Sequence, residues 1–360
     1  MSGSSGSGSR DARLPGARTA EGLTPATDAA LRTAGLSPTA LVAFVRAAIA
    51  EDLDGGEDVT SVATIDPADT SVADFVVRRD GVIAGVSVLA AVIECTIPEA
   101  NVDTFVLDGA LVVRGDVIAT VRAPTIALLT VERTALNLVG RLSGIATHTR
   151  AWVDALAGTP AKVRDTRKTT PGMRDLEKYA VRCGGGVNHR RGLSDAVLIK
   201  DNHVLAAGGV GAALDAVYRR FERRIGRSAP AEAGDGEARG HGAGGNAAAA
   251  AGAGELQLGA PRLVVQTEID RLDQLEEALA HGAEQILLDN MSLDDMRTAV
   301  HFVRAHAVAG EPRILVEASG GLTLATAAEV ANTGVDFIAV GALTHSSPIL
   351  DIALDFRADR

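Results

Sequence analysis

Between Asp165 and His203 the chain reads DTRKTTPGMRDLEKYAVRCGGGVNHRRGLSDAVLIKDNH, with eight Lys or Arg side chains against five acids, in a 360-residue protein of formal net charge -11. A cationic island in an acidic chain points to an anionic ligand. Arg167, Lys168, His189, Arg190 and Lys200 are of the types that surround a small polyanion. A planar guanidinium fork suits a carboxylate in two-pronged fashion, so two or more forks imply two carboxylates, or a carboxylate and a phosphate. The competing reading is a basic surface loop. Against it, Arg167 and Lys168 follow a short apolar run, Lys200 ends the apolar run VLI, and Gly184, Gly185 and Gly186 permit close backbone approach.

Glu268 and Asp289 end two consecutive apolar runs further along. Such a pair can hold a hard cation such as magnesium or accept hydrogen bonds from sugar hydroxyls, although each acid alone could equally pair with one of the cations. Ser319-Gly320-Gly321 and Gly341-Ala342 follow the last two apolar runs and precede helical segments, which is where barrel proteins seat phosphate. The chain has no GxxxxGK[ST], no GxGxxG after a strand, no HExxH and no GxSxG. Catalysis by positioning and charge is therefore expected in preference to a covalent nucleophile.

The elements that must position these groups are short. AKVRD, AVLIK, RLVVQTE, EQILLD, RILVEAS and DFIAVGA are apolar runs of buried parallel strands, separated mostly by helical segments such as DRLDQLEEALAHG and SLDDMRTAVHFVRAHAV. Polar residues cluster at their C-terminal ends, Glu317 with Ser319 among them, and these ends would share one rim. Six runs predict an incomplete β/α (TIM-like) barrel, in the α/β class, spanning 137–345 with a low-complexity Ala/Gly insertion at 226–259. Before it, 36–136 predict an α+β, sandwich-like domain. That domain has a helix from Pro38 capped by Ser37, hairpins through Asp80-Gly81 and Asp108-Gly109, and a short helix at SVLAAVIECT. A long helix starting near Thr130 bridges the two, with Arg133 and Arg141 on nearly one face. Residues 1–35 read as a disordered leader and 346–360 as a C-terminal tail.

The negative charge and 3% aromatic content argue against nucleic acid as a partner, and no apolar run is long enough to span a membrane. The two cysteines, Cys95 and Cys183, make neither a disulfide framework nor a metal cluster, so a cytoplasmic setting is expected.

DTRKTTPGMR, KYAVRCGGGVNHRRGLSDAVLIKDNH, ILLDNM, VEASGG and VGALTHS, with EDLDGGEDVTS and ERTALNLVGRLSGIAT before them, closely resemble the quinolinate phosphoribosyltransferase family over roughly residues 38–350. The resemblance implies transfer from phosphoribosyl pyrophosphate to quinolinate with decarboxylation, magnesium as cofactor, and a homodimer with shared active sites. It implies that Arg167, Lys168, His189, Arg190 and Lys200 line the quinolinate pocket and that Arg133 arrives from the partner subunit. Glu268 and Asp289 would hold ribose and magnesium, with Lys168 beside them in the catalytic set. Ser319, Gly320, Gly341 and Ala342 would receive the 5-phosphate. Gln266 departs from the family pattern, which often has an acid there. The alternatives are the family's molybdenum-associated paralogue, a nicotinate phosphoribosyltransferase, and a noncatalytic anion-binding barrel.

Overall fold

The computed structural model describes residues 18–226, 262–307 and 312–357. The Ala/Gly insertion expected at 226–259 lies, apart from Gly226, outside the described residues, as do the first 17 residues of the expected leader. The chain forms two compact units that are not contiguous in sequence. One comprises residues through Val153, Lys168–Asn188 and Gly341 onward; the other comprises Asp154–Arg167 and His189–Val340.

The first unit holds β1 (Thr70–Val77), β2 (Gly81–Val82), β3 (Asn101–Thr104), β4 (Leu111–Val112), β5 (Val117–Pro124) and, near the chain's end, β12 (Ile352–Phe356). Its main sheet has the order β12-β1-β5-β3 and is antiparallel throughout. Helix Val86–Thr96 is apolar on nearly every side, and its Leu89 and Ile93 are fully buried, as is Phe75 of β1. Neither predicted hairpin forms: β2 pairs with β4, while β1 and β3 both pair with β5. The turn residues serve other partners. Asp80 accepts the Arg114 N–H at 2.8 Å, and Asp108 accepts the Val86 N–H at 2.9 Å at the start of the apolar helix.

Two other expectations are corrected in this unit. Half of the supposed leader is ordered, because Thr24 caps a helix at Pro25–Thr33 and Leu23 and Leu31 are fully buried. The supposed tail is strand β12, which adds to the edge of β1 with Phe75 opposite Leu354. The long helix runs over Thr125–Ala155, beginning five residues before the expected Thr130, directly after β5.

The second unit holds β6 (Lys162–Arg164), β7 (Val197–Ile199), β8 (Val265–Ile269), β9 (Gln285–Asp289), β10 (Leu315–Ser319) and β11 (Phe337–Ala339). These are the six predicted strands. They pair in parallel in the order β6-β11-β10-β9-β8-β7. The two edges are the first two strands in sequence, so the sheet is a barrel open between β6 and β7. β9 and β10 are each buried over three central residues, as strands covered on both faces must be. Helices Val210–Ile225, Asp273–Ala280 and Leu293–Ala305 separate the strands, the last capped by Ser292. Among the described residues no single helix is long and apolar enough to cross a membrane.

Candidate active site

Parallel strands end on one rim, and in the second unit that rim gathers the expected side chains. Arg167 lies just past β6 and Arg190 on the loop before β7; both are half-buried. Burial first, and then the charge of Arg167, lower the Arg190 guanidinium below its ordinary value. The buried Nε of Arg167 has no hydrogen-bond partner. Two desolvated guanidiniums that repel each other, one with an orphaned donor, make a seat for an anion. Asp195 offsets this only in part: its charge favours the Arg190 cation, but burial and Arg167 outweigh it. Burial works against its charge, yet the N–H groups of Arg191 (2.6 Å) and Gly192 (2.8 Å) engage its carboxylate and hold its pKa below the ordinary range.

Lys200, at the end of β7, places Nζ 2.7 Å from Oε2 of Glu268 on β8. Glu268 and Asp289, together with Asp201, Asp270, Arg271 and Gln274, line a cavity of about 500 Å³. Asp289 is in register with Ser319 of β10. Beyond it, Asn290 takes the left-handed conformation with φ 53°, and its N–H donates to the Ser319 carbonyl at 2.9 Å. Gly320 has φ +90°, and a Cβ there would strike the Asn290 side chain and lie 2.8 Å from the Asn290 nitrogen. Only glycine fits this turn.

The structure moves two of the rim's expected polar groups downward. Glu317, which reads as a strand-end acid, sits mid-strand and 1% exposed, with its carboxylate 2.6 Å from Nη1 of Arg164. His189 turns into this same buried layer, its Nε2 2.8 Å from Oε1 of Gln266. Reading the strand ends overlooks Arg164, Asn290 and the buried placement of Gln266. The signal for a deeper layer was available: Gln266 and Glu317 stand two before Glu268 and Ser319, so they share a face with them one layer deeper.

In the first unit, Gly341 approaches Lys168 so closely that a Cβ would lie 2.9 Å from the lysine Cδ, and Ala342 begins the short helix Ala342–His345. The Thr344 hydroxyl donates to the Lys168 carbonyl at 2.8 Å. Arg133 is exposed on the long helix and, among the described residues, makes no hydrogen bond or ion pair. Arg141, eight residues on, is spent structurally: its Nη2 lies 2.9 Å from the fully buried Glu177.

Glu268 and Asp289 suit magnesium by donor chemistry. No group of three or more His, Cys, Asp or Glu that could cage a metal occurs among the described residues. A pair of rim carboxylates is what a magnesium ion shared with substrate phosphates requires, since that ion takes one or two carboxylates and keeps other positions for phosphate and water.

An open parallel barrel with an anion seat, paired acids and a glycine turn on one rim defines a barrel enzyme that works on polyanionic substrates by position and charge. Residues 58–143 match the family described as quinolinate phosphoribosyl transferase, N-terminal domain, and residues 145–225 and 245–355 match its C-terminal domain. The chain belongs to this family, and is a pentosyltransferase of it. The nicotinate-nucleotide pyrophosphorylase (carboxylating) of Mycobacterium leprae is 46% identical over 317 residues, 86% of this chain and 95% of that protein. A probable enzyme of the same name from Bacillus subtilis is 38% identical over 79% of this chain and 82% of its own. The solved nicotinate-nucleotide pyrophosphorylase of Francisella tularensis, 30% identical, superposes with a TM-score of 0.73 over 89% of this chain and 98% of that one.

Proposed function

We infer that this chain joins quinolinate to the ribosyl carbon of phosphoribosyl pyrophosphate and releases carbon dioxide and pyrophosphate, leaving nicotinate mononucleotide, a step of NAD synthesis. The observation that carries the substrate assignment is the Arg167 and Arg190 pair, half-buried and mutually repelling, with the Arg167 Nε unpartnered. A dicarboxylate offers two forks' worth of acceptor oxygens; a monocarboxylate would leave one guanidinium uncompensated.

Departure of pyrophosphate develops positive charge on the ribose carbon. The carboxylates of Glu268 and Asp289, on one cavity, stabilise that charge as the pyridine nitrogen attacks. The adduct's ring nitrogen is then cationic, and its charge stabilises the electron pair left on the neighbouring ring carbon when the adjacent carboxylate departs as carbon dioxide; that carbon takes a proton from water, and the ring nitrogen stays cationic in the product. Magnesium, when bound, neutralises pyrophosphate charge, and Glu268 and Asp289 are the residues that would hold it. Ser319 and Gly320 supply a backbone turn suited to phosphate, both glycines after Ser319 having positive φ. Lys168 belongs to the catalytic set, and Gly341 and Ala342 to the phosphate set, on the strength of the family resemblance. A homodimer to which Arg133 contributes across the interface is part of the proposal, supported by that residue's exposed and unpaired state. So is residence in the cytoplasm, supported by the two free cysteines.

The test supplies phosphoribosyl pyrophosphate and magnesium with quinolinate or nicotinate in separate reactions and follows nucleotide and carbon dioxide. Turnover with quinolinate alone, one carbon dioxide per nucleotide, is expected. Turnover with nicotinate would overturn the two-carboxylate reading of the arginine pair.

A further inference from the structure

Barrel interiors are ordinarily filled with branched apolar side chains. Beneath this rim lies a polar layer instead: Arg164, Gln266 and Glu317, with His189 folded onto it. Gln266 is 3% exposed, donates from Nε2 to Oε2 of Glu317 at 3.1 Å, and turns Oε1 toward Nε2 of His189 at 2.8 Å.

The protonation pattern of this layer can be derived from its ends. Arg164 holds Glu317 as a carboxylate through the 2.6 Å ion pair, so Glu317 only accepts. Gln266 must then present its NH₂ to Glu317, which leaves its carbonyl oxygen facing His189. A carbonyl only accepts, so Nε2 of His189 carries a proton. The other ring nitrogen closes the argument independently: Nδ1 accepts the backbone N–H of Arg190 at 2.7 Å and therefore carries none. The backbone N–H of His189 itself donates to the fully buried Asp165 at 2.8 Å, fixing where the ring starts. Glu317 Oε1 stands 3.6 Å from Nε2, outside hydrogen-bonding range, and makes no hydrogen bond; Arg164 and Gln266 meet the carboxylate at Oε2.

We propose that Gln266 is a positioning residue: it locks His189 as the neutral, Nε2-protonated tautomer, so the guanidinium and ammonium groups grip the dicarboxylate while the imidazole offers ring edge and shape. This rests on the quinolinate reading of the site. It gives the departure at position 266 a reason. A carboxylate there would face Glu317 across the buried layer, whereas an amide can donate to Glu317 and accept from His189 at once. It also reassigns His189 from a charged ligand of the substrate to a rigid wall beside Arg190.

The test is ¹⁵N histidine spectroscopy of the full chain at neutral pH, the His189 signal being identified by its absence in His189→Asn. The expected wild-type signature is a protonated Nε2 with an unprotonated Nδ1. A protonated Nδ1, or protons on both nitrogens, overturns the proposal without any variant having to fold. Gln266→Met, of similar length and without hydrogen bonds, leaves only the Arg190 N–H to hold the ring, and is expected to add a minor Nδ1-protonated population to the wild-type signature. It should also raise the quinolinate KM about fivefold, roughly the worth of one hydrogen bond, while the KM for phosphoribosyl pyrophosphate stays within about twofold. Retention of the wild-type signature and KM in that variant would also sink the idea. Should the wild type turn over no dicarboxylate, the function reading fails, and the tautomer signature still decides this one.

Discussion

Lys200, just past the end of β7, and Glu268, on the adjacent parallel strand β8, form an ion pair with Nζ 2.7 Å from Oε2. The lysine side chain is 46% exposed and the glutamate 11%. The proposed site gives each to a different substrate, and on that proposal the pair is a resting arrangement that the ligands exchange for their own contacts. Glu268→Gln is expected to lower kcat by about 100-fold, the scale for loss of one group that stabilises developing charge. Stability should shift by no more than about 1 kcal/mol, because a half-exposed ion pair is worth little in water. Steady-state kinetics and urea denaturation of the same preparation measure both; a large stability loss with intact kcat would make the pair structural.

Gly320 tests the phosphate turn. With φ +90° and Asn290 in its Cβ position, Gly320→Ala must either twist its own backbone or push Asn290 away. A cost of about 1–3 kcal/mol is expected, together with a KM for phosphoribosyl pyrophosphate raised at least about tenfold, while the quinolinate KM changes little. An unchanged phosphoribosyl pyrophosphate KM would separate this turn from the phosphate.

The barrel strands could be read because each is a short apolar run bounded by polar residues, and burial on both faces leaves such runs one partner type. The antiparallel unit could not be read in the same way. Asp80-Gly81 and Asp108-Gly109 carry hairpin chemistry, yet their acids engage Arg114 and Val86, and the strands they flank pair over long range. β12 was invisible as a strand because its partner, β1, lies far back in the chain. At the site, the charged strand ends stood out singly. The layer of Arg164, Gln266 and Glu317 did not: Glu317 reads as one more rim acid, an interior position in a barrel is expected to be apolar, and only the fold shows that these three meet.

Glu177 is fully buried and is satisfied by Arg141 at 2.9 Å, by the Thr170 hydroxyl at 2.8 Å and by the Thr170 N–H at 3.1 Å. Arg141→Leu leaves a buried carboxylate without its counter-charge, and a loss of about 3–5 kcal/mol is expected. Chemical denaturation checks it. The double variant Arg141→Leu with Glu177→Leu should recover much of that loss, because the desolvated charge is then gone; a double variant as unstable as the single one would contradict the account.

Asp108 gives a pH dependence of known sign. Burial raises its pKa above the ordinary value of 3.8, and this prevails over the Tyr179 hydroxyl that donates to it at 2.5 Å and over the Val86 N–H. A raised carboxyl binds its proton more tightly in the native state than in the unfolded chain. Its contribution to stability therefore falls as pH climbs from 3.8 through the folded value, and the cost is fully present above both. Asp108→Asn removes that cost and can still accept from Val86. Denaturation midpoints measured from acid to neutral pH should show the variant gaining on the wild type through that window and converging with it below; a constant difference would mean the carboxyl does not titrate there.

The shared-site proposal predicts complementation. Arg133 is exposed and unpaired, so Arg133→Ala should leave stability within about 0.5 kcal/mol of wild type while abolishing turnover. Lys168→Ala should also be inactive, for a reason that lies in the other subunit. In a heterodimer of the two variants, one site combines the intact Lys168 of one protomer with the intact Arg133 of its partner, and the second site lacks both. Heterodimers isolated by two affinity tags should thus show about half the wild-type turnover per dimer, with an unchanged quinolinate KM, because each surviving site is complete. If verified heterodimers stay inactive, Arg133 serves its own subunit and the crossed arrangement is wrong.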